Sequence, residues 1–86
     1  MSRKGLDIKS NNIRRYRKLR YLRQRDIAKL LGIKSHNDVY RWERGQKLPS
    51  LQNALKLSYI LQCPVEVLFF DHYQALRNQI VLNQLE

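Results

Sequence analysis

The chain predicts an all-α fold, a compact bundle of about five short helices with an additional C-terminal helical segment, and three observations carry that prediction. No stretch alternates apolar and polar side chains as a half-buried strand does. Apolar residues recur instead three and four apart in short runs. The gaps between runs hold the residues that start and stop helices: Gly32, Ser35, Gly45, Ser50 and Pro64. At 86 residues the chain fits one domain, and a domain of this size buries only about 60% of its unfolded surface.

Residues 1–11 are polar, contain Gly5 and show no sustained period, which reads as a loose basic arm. A first helix starts near Asn11 or Asn12, either of which can cap it. Ile13, Tyr16 and Leu19 share its inner face, and it ends around Tyr21. A second helix fits Gln24 to Leu31 with Ile27, Ala28 and Leu31 inward, and Gly32 supplies a left-handed stop. The third begins after Ser35, with Asp38 in its first turn where negative charge complements the helix dipole, and Gly45 closes it.

"QKLPS" is then a loop, and Ser50 caps a fourth helix whose Leu51, Ala54, Leu55, Leu57 and Leu61 can build much of the core. Pro64 stands at the start of a fifth, where its missing N–H costs nothing, and Val65, Leu68 and Phe69 form the inner face. The pattern continues through Tyr73, Leu76 and Ile80, either as an extension of that helix or as a separate one. The division is thus an arm over 1–11, a body over 12–70 and a helical extension over 71–86.

Charge narrows the function classes. Seventeen Lys and Arg face seven Asp and Glu, a net +10. Residues 1–50 carry +11 of this and residues 51–86 carry −1. Ten of the cations are Arg, whose planar guanidinium suits phosphate and base edges, so polyanion binding is favoured over a merely solvated face. The N-terminal stretch lacks the apolar core of a signal peptide and no run reaches the roughly 18 apolar residues that span a bilayer, so no membrane association and a cytoplasmic location are expected. The single Cys63, in "YILQCPVEVLFF", reads as a buried structural thiol. With two His, one Cys, no C-x-x-C and no Gly-rich phosphate loop, neither an enzyme, a metal site nor a cofactor is expected.

The most informative stretch is Ser35 to Gly45, "SHNDVYRWERG". Val39 and Trp42 are a two-residue apolar footing, leaving His36, Asn37, Tyr40, Arg41 and Arg44 to face outward. Two short helices divided by a Gly-containing turn meet the physical requirement of a helix-turn-helix, in which the first element braces the second so that its exposed face enters the DNA major groove. Arg41 can donate two bonds to guanine and Asn37 can pair with adenine, each discriminating by about 1–3 kcal/mol. Asp38 reads chiefly as a cap contributor, although an acid can also accept from cytosine. Tyr40 either contacts a phosphate or shields the helix.

"IRRYRKLRYLRQRDIAKLLGI", "SHNDVYRWERG" and "LPSLQNALKLSYIL" followed by "VEVLF" occur in order, from about Ile13 to Phe69. Together they resemble the phage repressor and Cro-type helix-turn-helix domain, also called the xenobiotic-response-element family. The resemblance implies a lambda-repressor-like fold and a sequence-specific regulator of double-stranded DNA. It places His36, Asn37 and Arg41 at base edges and Gln24, Ser35, Arg44 and Lys47 at phosphates. Gln24 also braces the recognition helix, and Arg17 and Glu43 match an internal ion pair that orients it.

Three positions depart from the family pattern. Lys34 is inserted in the turn "GIKS", Arg23 replaces the usual Ser or Thr cap, and Tyr21 stands where Gly is common. For Arg3, Lys4 and Lys9, disorder with weak phosphate attraction is preferred to entry into a minor groove. The alternative function is an antitoxin or co-regulator whose C-terminal helix grips a protein partner such as a toxin. A homodimer on a palindromic site is expected, its contact supplied by the near-neutral second half, with Val67, Phe70 and the Tyr73, Leu76 and Ile80 stripe; the alternative for the stripe, stronger for Tyr73 and Leu76 than for the final turns, is that it folds back to complete the core.

Overall fold

A computed structural model describes residues 10–85. The sequence assigned to the basic arm therefore lies, up to residue 9, outside the described residues. All the regular structure described is helical, as the sequence predicts, in six helices. They are α1 Ile13–Leu19, α2 Gln24–Leu31, α3 His36–Glu43, α4 Leu51–Leu61, α5 Val65–Leu68 and α6 Phe70–Gln84.

The predicted punctuation operates locally. Gly32 ends α2 at φ 77°, and a Cβ there would meet nothing within 4 Å, so the requirement is conformational and not spatial. Ser50 Oγ accepts from the Asn53 N–H at 3.1 Å, the side-chain cap of α4. At α2, where Arg23 has no acceptor to offer, capping is supplied from inside the helix. Asp26 Oδ2 accepts from the Arg23 backbone N–H at 2.8 Å and from its guanidinium at 3.1 Å. The Arg23 side-chain hydrogen bond, aided by the backbone one, holds the Asp26 carboxyl below its ordinary pKa.

Asn11 and Asn12 share the start of α1. Asn11 Oδ1 accepts from the Ile13 N–H at 3.0 Å, while the Asn12 side chain donates to the Val67 carbonyl at 2.8 Å and its backbone N–H to Leu68 at 2.9 Å. Those last two bonds fasten α1 to α5. Phe69, at φ −115° and ψ 52°, interrupts the helix between α5 and α6, so the C-terminal run is a separate element.

The core is built from Ile13, Ile27, Ala28, Leu31, Val39, Trp42, Leu57, Leu61, Cys63 and Leu68. Leu19 is not part of it, being 60% exposed, and the buried partner of Ile13 on α1 is Arg17. A spacing of three drifts by about 60° per step around a helix, which carries Leu19 to the far side, whereas four residues return Arg17 close to Ile13. The same geometry corrects α4. Ala54, Leu57 and Leu61 form its inner stripe, and Leu51 and Leu55 are rotated outward, 75% and 52% exposed.

Candidate functional site

α3 is anchored along its floor and at its C-terminal end. Val39 and Trp42 are buried beneath it, and Ser35 Oγ caps its first turn by accepting from the Asn37 N–H at 3.1 Å. At the other end, Arg17 Nε lies 2.6 Å from Glu43 Oε2 and Arg17 Nη2 lies 3.2 Å from Oε1. Gln24 Nε2 adds a third donor to Glu43 Oε1 at 3.1 Å. A third Arg17 nitrogen, Nη1, donates to the Leu22 carbonyl at 2.9 Å, which ties the loop before α2 into the same network. Burial of this carboxylate is tolerated because two side chains supply three hydrogen bonds to it.

One further brace comes from a residue that sequence reasoning placed in the arm. Asn11 Nδ2 donates to the Trp42 carbonyl at 2.7 Å, near the C-terminal end of α3, where the same oxygen also accepts from the Gly45 N–H at 3.0 Å. The only sequence signal for Asn11 is its cap propensity at the start of α1, which gives no indication of a contact 31 residues away.

The face of α3 away from this support carries His36, Asn37, Tyr40, Arg41 and, at its C-cap, Arg44, all exposed. The Arg44 guanidinium stands 5.6 Å from the centre of the Tyr40 ring, a cation–π arrangement that restrains both side chains. Asp38 lies between two cations, with Lys47 Nζ at 3.5 Å and Arg41 Nη1 at 4.0 Å. It therefore links the loop after α3 to the helix, in addition to its place in the first turn.

Gln24 and Arg44 meet at a cleft of about 540 Å³, which Arg14, Tyr40 and Glu43 also line. Ser35, at the opposite end of α3, and Lys47, beside Asp38, are not part of that cleft. Arg14 was not singled out from the sequence, because the run "RRYRKLR" offers no means of separating it from its neighbours. Arg15, next along, turns instead toward the Tyr16 ring at 6.0 Å.

The turn between α2 and α3 contains Gly32, Ile33, Lys34 and Ser35. Ile33 donates its N–H to the Ala28 carbonyl at 3.0 Å and packs its half-buried side chain against the core, while Lys34 is exposed. Two short helices, a turn closed by Gly32, and a second helix pinned from below by Val39 and Trp42 are the geometry of a helix-turn-helix. The family model described as Helix-turn-helix, HTH_3, matches residues 13–68. The chain belongs to this helix-turn-helix family.

Two similar proteins accompany that match. The HTH-type transcriptional regulator DicA of Escherichia coli (strain K12) is 44% identical over 72 residues, a stretch covering 83% of this chain and 52% of that protein. The chain thus spans about half the length of this relative. The crystal structure of the restriction-modification controller protein C.AhdI from Aeromonas hydrophila is 36% identical, with a TM-score of 0.60 over 67% of this chain and 86% of that one. The helix-turn-helix match ends at residue 68, so α6 lies outside it.

Proposed function

We propose that this helix-turn-helix domain is a sequence-specific, double-stranded DNA-binding transcriptional regulator that inserts α3 into the major groove. One observation carries the proposal. α3 is fastened at its C-terminal end through Glu43 and the Trp42 carbonyl, and it presents His36, Asn37 and Arg41 to solvent on the opposite side. Rigid support beneath an exposed hydrogen-bonding face is what base readout requires, since a bidentate contact is lost when the helix tilts.

In this reading Asn37 pairs with an adenine edge, Arg41 with guanine, and His36 supplies a further donor at the leading end of α3. Ser35, Arg44 and Lys47 contact phosphates, and Gln24 and Arg14 line a cleft that accepts one. The charge of +11 over residues 1–50 draws the polyanion to this half of the chain. The name of the Escherichia coli relative, a transcriptional regulator, supports the same conclusion.

One recognition helix reads only a few base pairs, so a homodimer presenting two copies of α3 about 34 Å apart to a palindromic site is part of the proposal. Among the described residues no helix is long and apolar enough to cross a membrane, and action in the cytoplasm accords with a DNA target. The test is selection of bound fragments from a random duplex pool, followed by sequencing. Enrichment of one short symmetric motif supports the reading, whereas recovery of unenriched sequence would reduce it to non-specific attraction.

A further inference from the structure

Of the two acids on α3, Glu43 is sealed against Arg17, whereas Asp38 stays partly open to solvent. One oxygen of Asp38, Oδ1, faces two cations: Lys47 Nζ at 3.5 Å, arriving from the loop after α3, and Arg41 Nη1 at 4.0 Å, three residues further along the helix. Both cations are themselves exposed. Ser35 Oγ makes the side-chain cap of the first turn by accepting from the Asn37 N–H, so capping alone does not account for where the Asp38 carboxylate points. A carboxylate on a face that meets a polyanion weakens attraction to every phosphate it approaches.

We propose that Asp38 is a specificity-determining residue: it positions the Arg41 guanidinium for guanine and makes seating on sequences without that guanine less favourable. The proposal rests on the reading of α3 as the helix that enters the major groove. Guanidinium geometry supports the first half. The N–H groups lie in one plane, and Nε with Nη2 forms an edge that matches two acceptors side by side. Arg17 divides its donors in this way within the same molecule, giving Nε and Nη2 to the two Glu43 oxygens and Nη1 to the Leu22 carbonyl. Arg41 turns Nη1 toward Asp38, which leaves the Nε and Nη2 edge for O6 and N7 of guanine. A long side chain restrained beforehand also loses less rotamer freedom on binding. The second half follows from charge. Without Asp38, Arg41 and Lys47 could both settle on the phosphates of any sequence. With it, each must leave a carboxylate partner, and the carboxylate itself is carried toward the phosphates. That penalty applies to all duplexes, and a bidentate guanine contact offsets it only where guanine stands opposite Arg41.

Fluorescence anisotropy tests this on three kinds of DNA: the duplex recovered from the random pool, that duplex with each base pair substituted in turn, and a scrambled duplex of equal length. The proteins are wild type, Asp38→Asn, Arg41→Ala and the double variant, with Asp38→Ser as a second removal of the charge. Thermal unfolding verifies that each is folded at the temperature of binding. Both Asp38 variants are expected to bind scrambled DNA more tightly. They should also lose at least about tenfold of the preference for guanine at the position where Arg41→Ala loses it. In the double variant, base preference should match that of Arg41→Ala alone, because Asp38 acts through Arg41. Asp38 variants that change affinity for every duplex by the same factor overturn the proposal, leaving Asp38 a contributor to the helix and the overall field. Loss of preference at a different base pair also overturns it, since Asp38 would then read a base directly. Either failure leaves the wild type with its preferred site, whereas a wild type that prefers no sequence defeats the reading of α3 and this proposal together.

Discussion

Arg17 on α1 and Glu43 on α3 form a two-pronged ion pair, 2.6 Å and 3.2 Å long, across 26 residues of sequence. Both side chains are nearly sealed from solvent, at 10% and 3% exposure. Replacing one partner strands the other charge in the interior, so Arg17→Met alone should cost about 3–5 kcal/mol and Glu43→Leu alone about as much. For a small domain whose whole stability is on the order of 5–15 kcal/mol, either loss is severe. The double variant Arg17→Met with Glu43→Leu should recover most of it, measured by urea denaturation, while binding its preferred site less selectively because α3 is no longer held by a directional bond.

Asn11 should behave differently from an ordinary cap. Asn11→Ala removes both the Ile13 cap and the bond to the Trp42 carbonyl, whereas Asn11→Asp retains an acceptor for Ile13 and loses the donor. Loss of about 1–2 kcal/mol is expected for Ala. The Asp variant should lose at least as much, since its carboxylate would then face an oxygen. Equal stability of Asp and wild type in chemical denaturation would show that the Trp42 bond contributes nothing.

Tyr21 occupies left-handed backbone at φ 58° and is 94% exposed, so its side chain contributes almost no packing. Glycine suffers no Cβ clash in that conformation, although it has more freedom to lose on folding. Tyr21→Gly should therefore stabilise the domain by about 0.5–1 kcal/mol, read as a higher midpoint of thermal unfolding.

On DNA, Arg41→Ala should cost about 1–3 kcal/mol on the preferred site and relax selectivity at one base position. A uniform loss over all sequences would make Arg41 a phosphate contact. Lys47→Ala should flatten the dependence of log affinity on log salt by about 0.9. An unchanged slope would leave Lys47 with only its contact to Asp38.

Burial pushes the Cys63 thiol above its ordinary pKa, the largest effect at that site. A raised folded-state value means that the thiol's contribution to stability is complete below the free-thiol pKa and is lost as the pH rises toward the folded one. Urea denaturation of the wild type and of Cys63→Ala, followed from neutral pH to about pH 10, should show their difference narrowing across the upper part of that range. A difference constant with pH would contradict it.

The sequence by itself determined where α2 ends and where α3 and α4 begin, because Gly32, Ser35 and Ser50 act on backbone within a few residues of themselves. It also determined the footing of Val39 and Trp42, since two apolar positions three apart on a polar helix have one way to be buried. Inner and outer faces of the leucine-rich α4 were not legible there. Leu51 and Leu55 satisfy the spacing as well as Leu57 and Leu61, and only packing against α2 and α5 chose between them. Of the bonds that fix α3, the pairing of Arg17 with Glu43 was named by the family resemblance, whereas the burial of that pair and the bond from Asn11 were decided by tertiary structure. Whether Arg17 is buried, or Asn11 belongs to an arm or a brace, depends on Glu43 and the Trp42 carbonyl arriving from elsewhere in the chain. A polar group is stable in the interior only when such a partner meets it, and a partner some thirty residues distant leaves no periodic trace in the sequence.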